Sequence, residues 1–201
     1  MKSKELVKEG LMTDPASAKG KLLVKAAGLF REKGYERTTV RDLAAAVGIQ
    51  SGSIFHHFKT KEDILKAVME EVIIYNTYRM QRKLAQAESP KEEVLALIKC
   101  ELESINGVTG DAMSVLVYEW RSLKPQNQQD ILKLRDTYES LWLDSLNRAK
   151  KAGQIPHATD AFVLRRFLTG ALSWTTTWFN PNGGMSMDAL AEQALMLAIK
   201  S

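Results

Sequence analysis

Residues 38–61 read TTVRDLAAAVGIQSGSIFHHFKTK and hold the side chains best suited to chemistry. Ser51, Gly52, Ser53, His56, His57 and Lys59 offer short hydroxyls, open backbone and cations, with no carboxylate among them. That set suits a polyanion. Arg41, just upstream, carries the planar fork of donors that matches paired acceptors on a guanine edge. The adjacent histidines do not suit a metal, which takes ligands one helical turn apart and a third group nearby. No Ser/His/Asp order, phosphate-cradling glycine loop or carboxylate pair supports catalysis, so no catalytic residue is named.

These side chains need two short helices and a tight turn to present them. Thr39 caps the first, and Val40, Leu43, Ala44 and Val47 share one apolar face. Gly48 stops it, because glycine alone enters the left-handed conformation at low cost. Ile49 is expected as a buried plug. Ser51 is expected to cap a second helix over residues 52–58, with Ile54 and Phe58 inward. This pattern fits an ordinary helical hairpin, and equally the unit that lays its second helix in the DNA major groove. Charge separates the two. Over residues 19–61 there are nine Lys or Arg against three Asp or Glu, a surplus of six, while the whole chain nets +4. The remainder is therefore acidic by two. A basic module on a near-neutral body is what phosphate-backbone binding needs.

At 201 residues, 45% hydrophobic and 26% charged, the chain reads as an ordinary soluble globular protein. The single cysteine, Cys100, rules out an internal disulfide and a cysteine-based zinc site. It shares an apolar helical face with Val94, Leu97 and Ile98, which predicts a buried, inert thiol. The first 20 residues are too polar for a signal peptide, and the longest uncharged stretch is broken by Asn180-Pro181-Asn182-Gly183-Gly184. The reading is a cytoplasmic protein with no membrane partner.

Along the chain, residues 1–14 are expected as a flexible arm. Thr13 or Asp14 caps a first helix that runs to about Lys33, with Pro15 at its first position. Thr60 caps a long helix reaching about Ala87. Helices then follow over residues 91–106, 112–123, 125–152 and 161–179, Ser186 caps a last helix carrying Leu190, Ala194, Leu195, Leu197 and Ala198, and no β-alternation of useful length occurs. Past Arg166 the 161–179 helix has no charge and is apolar nearly all round, so it has two faces to hide. Phe167, Gly170, Ala171 and Trp174 are expected to meet a second copy of the chain, joined by Leu190, Ala194 and Leu197 of the last helix. Glu101 and Glu103 read as a solvated face.

The motifs F-x-x-x-G-Y at Phe30, Gly34 and Tyr35, T-T-V-R-D-L-A-A-A-V-G-I at residues 38–49, and G-S-I-F-H-H-F-K-T-K-E at residues 52–62 resemble the TetR family of bacterial transcriptional repressors. The resemblance implies an all-α homodimer of about nine helices. Residues 15–66 would form the helix-turn-helix module, and 67–201 a ligand-binding and dimerisation domain. It places base reading on Arg41, Ser51, Gly52 and Ser53, and phosphate contact on Thr39, His57 and Lys61. Phe55 stands where the family usually has tyrosine, so a hydroxyl contact to phosphate is lost. Trp120-Arg121, Arg135-Asp136 and the W-T-T-T-W-F-N-P-N-G-G run from Trp174 resemble, less specifically, family members that regulate fatty-acid, steroid and acyl-CoA catabolism. These imply an acyl-CoA or other small apolar effector and no resident cofactor.

The effector site is argued from bulk. Met113, Tyr118, Trp120, Tyr138, Trp142, Trp174 and Trp178 are large side chains that wall a cavity or fill a core. Arg121, Arg165 and Arg166 lie in apolar stretches, where they snorkel to the surface or recognise a carboxylate or phosphate. A regulator with no small-molecule effector, controlled by a partner protein or by abundance, is the alternative.

Overall fold

The computed structural model describes residues 3–199, with helix and turn throughout and no strand among them. Ten α-helices are described: α1 (Ser3–Lys8), α2 (Ala18–Lys33), α3 (Val40–Val47), α4 (Ser51–Ile54), α5 (Lys61–Leu84), α6 (Pro90–Asn106), α7 (Gly110–Tyr118), α8 (Pro125–Lys151), α9 (Ala161–Trp174) and α10 (Met187–Ala198). Short 3-10 turns follow α7 at Trp120–Ser122 and α9 at Thr175–Thr177. The chain forms two compact units, Met1–Tyr75 with Thr109–Arg135, and Asn76–Val108 with Asp136–Ser201. No helix among the described residues is long and apolar enough to cross a membrane.

The first unit differs from the sequence expectation at its start. The expected flexible arm is a helical turn, α1, anchored by the buried Leu6, whose carbonyl accepts from the N–H of Leu11 and Met12. Lys2, one of the arm's basic residues, lies outside the described residues. Ser17, not Thr13 or Asp14, caps α2, its hydroxyl accepting from Gly20 N–H at 3.0 Å. Pro15 sits in the turn before it. That turn lies so close to α2 that a Cβ on Gly20 would meet the Asp14 carbonyl oxygen at 2.1 Å.

The unit also reaches past the boundary expected after residue 66. Arg31 pairs with Asp111 of α7 at 2.7 Å, and Lys66 pairs with Asp130 of α8 at 2.8 Å. Glu62, nearly buried, accepts from the N–H of Lys124 and the side chain of Asn127. Burial raises the Glu62 pKa, but those donors outweigh it and the carboxyl titrates below its ordinary range.

In the second unit α6 packs on α9 and α10. Ser89, Asp160 and Ser186 cap α6, α9 and α10 through their side chains, as short polar residues before an apolar run should. Asn76 and Ser104 make a buried hydrogen bond of 2.6 Å. Cys100 is buried, and desolvation pushes its thiol pKa up. The α9 helix stops at Trp174, shorter than the 161–179 expected, and tightens into the 3-10 turn where Thr175 donates back to Leu172 at 2.6 Å.

Candidate nucleic-acid interface

The reading surface begins with the capping of α3. Thr39 and Asp42 form a reciprocal box: the Thr39 hydroxyl accepts from Asp42 N–H at 3.1 Å, and Asp42 Oδ2 accepts from Thr39 N–H at 2.8 Å. The same oxygen takes the Thr39 hydroxyl proton at 2.8 Å, and the bond from the Thr39 N–H, followed by this one, holds the Asp42 carboxyl below its ordinary range. A phosphate at Thr39 would have to displace that bond. At the other end Gly48 is left-handed, with φ 71°, and its N–H bonds Ala45 while Ile49 N–H bonds Ala44. This is the double closure that ends a helix at glycine. Ile49, expected as a plug, is exposed: its backbone closes the turn while its side chain points away from the core.

The second helix is shorter than expected. It spans α4 only, and residues 55–57 continue as turns. Ser51 is its first residue rather than its cap, since Gln50 holds the cap position without a side-chain bond. Ile54 and Phe58 are buried, as their spacing predicts, and anchor the segment. Gly52, Phe55, His56, His57 and Lys59 are exposed, while Ser51 and Ser53 are partly covered. Arg41 is exposed on α3, and no ion pair holds it among the described residues.

Lys61 is placed differently from its sequence assignment. Its ammonium donates to the carbonyls of Tyr35 at 2.8 Å, Thr38 at 2.9 Å and Glu36 at 3.4 Å. It also lies 4.1 Å from the centre of the Tyr35 ring. An ammonium has three protons, and all three are engaged. Burial, with the nearby carboxylates of Glu62, Glu36 and Asp63, raises the Tyr35 phenol to about 12. Thr38, fully buried, donates to Gly34 and Leu29 carbonyls and ties the same loop to α2. Sequence reasoning assigned Thr38 no role, although a second threonine before a capping one is a hint of inward use.

The side chains expected to form an effector site are divided between the two compact units. Met113, Tyr118, Trp120 and Arg121 belong to the first compact unit, where Met113 is core and Tyr118 and Arg121 are exposed. In the second unit Tyr138 donates to the buried Glu101, Arg165 pairs with Glu139 at 3.2 Å, and Arg166 approaches Glu139 at 3.7 Å. Trp142, on the same helix as Tyr138 and Glu139, is fully buried. Glu101 overturns the solvated-face expectation. It lies in register with Val94, Leu97, Ile98 and Ile105 on the buried stripe of α6, a period that was visible in the sequence. Burial raises its carboxyl to about 7, partly opposed by Arg165.

Trp174 and Trp178 are not walls of any interior: 65% and 56% of their surfaces are exposed. With Phe167, 74% exposed, and the exposed Gly170 and Ala171, Trp174 forms an outward apolar face of α9, and Trp178 lies beyond the 3-10 turn that follows it. Leu197 of α10 is 87% exposed, whereas Leu190, expected beside it, is buried and Ala194 is partly covered. Met196 is exposed as well and was not anticipated.

A glycine-closed helix, a tight turn and a second helix with an exposed basic tip define a helix-turn-helix protein. Residues 22–68 match the family model described as bacterial regulatory proteins, tetR family, and residues 87–201 match the one described as tetracyclin repressor-like, C-terminal domain. The chain belongs to the TetR family of transcriptional regulators. It is 30% identical to the HTH-type transcriptional repressor KstR2 of Mycolicibacterium smegmatis, covering 93% of this chain and 91% of that one. The ketosteroid transcriptional regulator KstR2 of Mycobacterium tuberculosis superimposes with a TM-score of 0.82 at 25% identity, covering 95% and 100%. A crystal structure described as superantigen pfit superimposes with a TM-score of 0.85 at 58% identity, covering 99% and 98%.

Proposed function

We propose that this chain is a cytoplasmic repressor that binds a pseudo-palindromic operator as a homodimer and is released by a small apolar or acyl-CoA-type effector. The observation that carries the reading is the exposed set Arg41, Gly52, Phe55, His56, His57 and Lys59, cationic and free of carboxylates, held on buried Ile54 and Phe58. Arg41 reads a guanine, Ser51, Gly52 and Ser53 lie against base edges, and His57 and Lys59 meet phosphates. The outward face of α9 with Leu197 supports dimerisation, since a free apolar surface of that extent marks an interface. Two copies then place their α4 segments about one DNA turn apart, roughly 34–36 Å. The likeness to proteins described as repressors and as a ketosteroid regulator supports the effector class. Titration of a labelled operator duplex with the chain, then with octanoyl-CoA, tests it. Specific retardation that the thioester relieves is expected, and retardation insensitive to every effector favours the alternative without one.

A second reading is carried by the 58% identity to the protein described as superantigen pfit, namely an additional activity toward immune cells. Lymphocyte proliferation on adding the purified chain tests it, and the absence of proliferation rejects it.

A further inference from the structure

Lys19, in the first turn of α2, stands on the buried side of that helix. Leu22, Leu23, Ala26 and Phe30, which follow it at helical spacing, are all buried, so its stem sets out along the core stripe. Its ammonium ends 5.1 Å from the centre of the Phe58 ring, the buried anchor between the exposed His57 and Lys59. This cation keeps its charge. A ring face attracts an ammonium without neutralising it, whereas a carboxylate would cancel it. No ion pair holds Lys19 among the described residues, and Asp14, the acid nearest in sequence, accepts from the N–H of Ala16 at 2.9 Å. Two other lysines of the module are committed: Lys33 pairs with Asp42 at 3.5 Å, and Lys61 donates to three carbonyls. Lys19 is partly covered and already ordered against a ring, so meeting an anion costs it little further side-chain entropy. Its place specifies the anion. Residues 57–59 directly follow the segment that meets base edges in the proposed reading, where phosphates line the groove. A lysine is a compact point charge, suited to a phosphate oxygen rather than to the paired acceptors of a base edge.

We propose that Lys19, carried on α2 outside the α3–α4 unit and held over Phe58, contacts the DNA phosphate backbone beside His57 and Lys59, supplying a cation where Lys61 is used inside the protein. This rests on the proposed reading of α4 as the segment that enters the groove.

The test measures affinity of the full chain for the duplex it selects from a randomised library, over a series of salt concentrations. The parent is compared with Lys19→Gln, Lys19→Arg and Lys21→Gln. Lys21 lies two residues on, on the far side of α2, and is exposed, so it reports the effect of net charge alone. Lys19→Gln is expected to bind about tenfold more weakly and to flatten log affinity against log salt by about 0.9 for each protomer bound. It should weaken a scrambled duplex by a similar factor, because a phosphate contact carries no sequence information. Lys19→Arg and Lys21→Gln should keep the parent's slope. Urea unfolding of each variant is followed alongside. A parent-like slope in Lys19→Gln overturns the inference, and a lowered urea midpoint with that slope would make Lys19 a staple of α2 onto Phe58 only. Equal flattening in Lys21→Gln overturns it too. Selection that recovers no motif removes the repressor reading and this inference with it, whereas a recovered motif with an unmoved slope confines the failure to Lys19.

Discussion

Lys61 opens α5 by donating to the carbonyl of Tyr35 at 2.8 Å, from a position 4.1 Å over that residue's own ring. A basic residue in a DNA-binding module is thereby used inside the protein, stapling the start of α5 to the loop between α2 and α3. Its neighbour Asp63 completes the joint, exchanging bonds with Thr60 at 2.9 and 3.1 Å.

Lys61→Met separates this staple from a phosphate contact. Three carbonyls lose a charged donor, so the variant is expected to lose roughly 1–3 kcal/mol of stability in urea unfolding. The slope of log affinity against log salt for a DNA duplex should match the parent's. A slope shallower by about 0.9 would show that Lys61 neutralises a phosphate.

Arg41→Ala behaves in the opposite way. Its exposed side chain holds nothing inside the protein, so stability stays within about 0.5 kcal/mol. Operator affinity is expected to fall by roughly 1–3 kcal/mol, with base preference relaxed at one position of each half-site. Competition binding with single-base operator variants reads this, and unchanged preference at every position removes Arg41 from base reading.

Much of this module was legible because short-range rules govern it. Thr39, Gly48, Thr60, Ile54 and Phe58 act locally, within four residues of their partners or by simple period. The bonds of Lys61 to the loop were not legible because its partners lie more than twenty residues away, and no spacing rule reports a loop folding back. Ser17 displaced Thr13 and Asp14 as a cap because the preceding turn packs against Gly20, a tertiary contact. In the body, the outward apolar face of α9 was visible in composition. Which large residues were core and which exposed was not: Trp142 is buried and Trp174 exposed, a choice made by packing partners distant in sequence.

Glu101 gives the body a pH signature. Its pKa in the folded chain, about 7, lies above the ordinary 4.5, so the folded state holds an extra proton between those values. Its contribution to stability is fully present below pH 4.5 and declines as pH rises to about 7, by up to roughly 3 kcal/mol. Glu101→Gln, which keeps a partner for Tyr138 and cannot ionise, is expected to lose this slope and to be the more stable chain at pH 8. Urea unfolding at pH 5 and pH 8 measures both, and parallel slopes would show Glu101 to be ionised throughout.

The exposed face of α9 predicts the assembly. Phe167→Glu with Trp174→Glu places two charges on an apolar interface and is expected to give a monomer with native helix content. Sedimentation at micromolar concentration follows it. A parent chain that is itself monomeric contradicts the dimer.

The most direct test of the central claim, that two copies read a symmetric operator through α4 and Arg41, is selection of the full chain against a randomised duplex library. An inverted repeat whose half-site centres lie about 10 base pairs apart, or a multiple of that, is the predicted result. Recovery of no motif, or of a motif lacking two-fold symmetry, would contradict it.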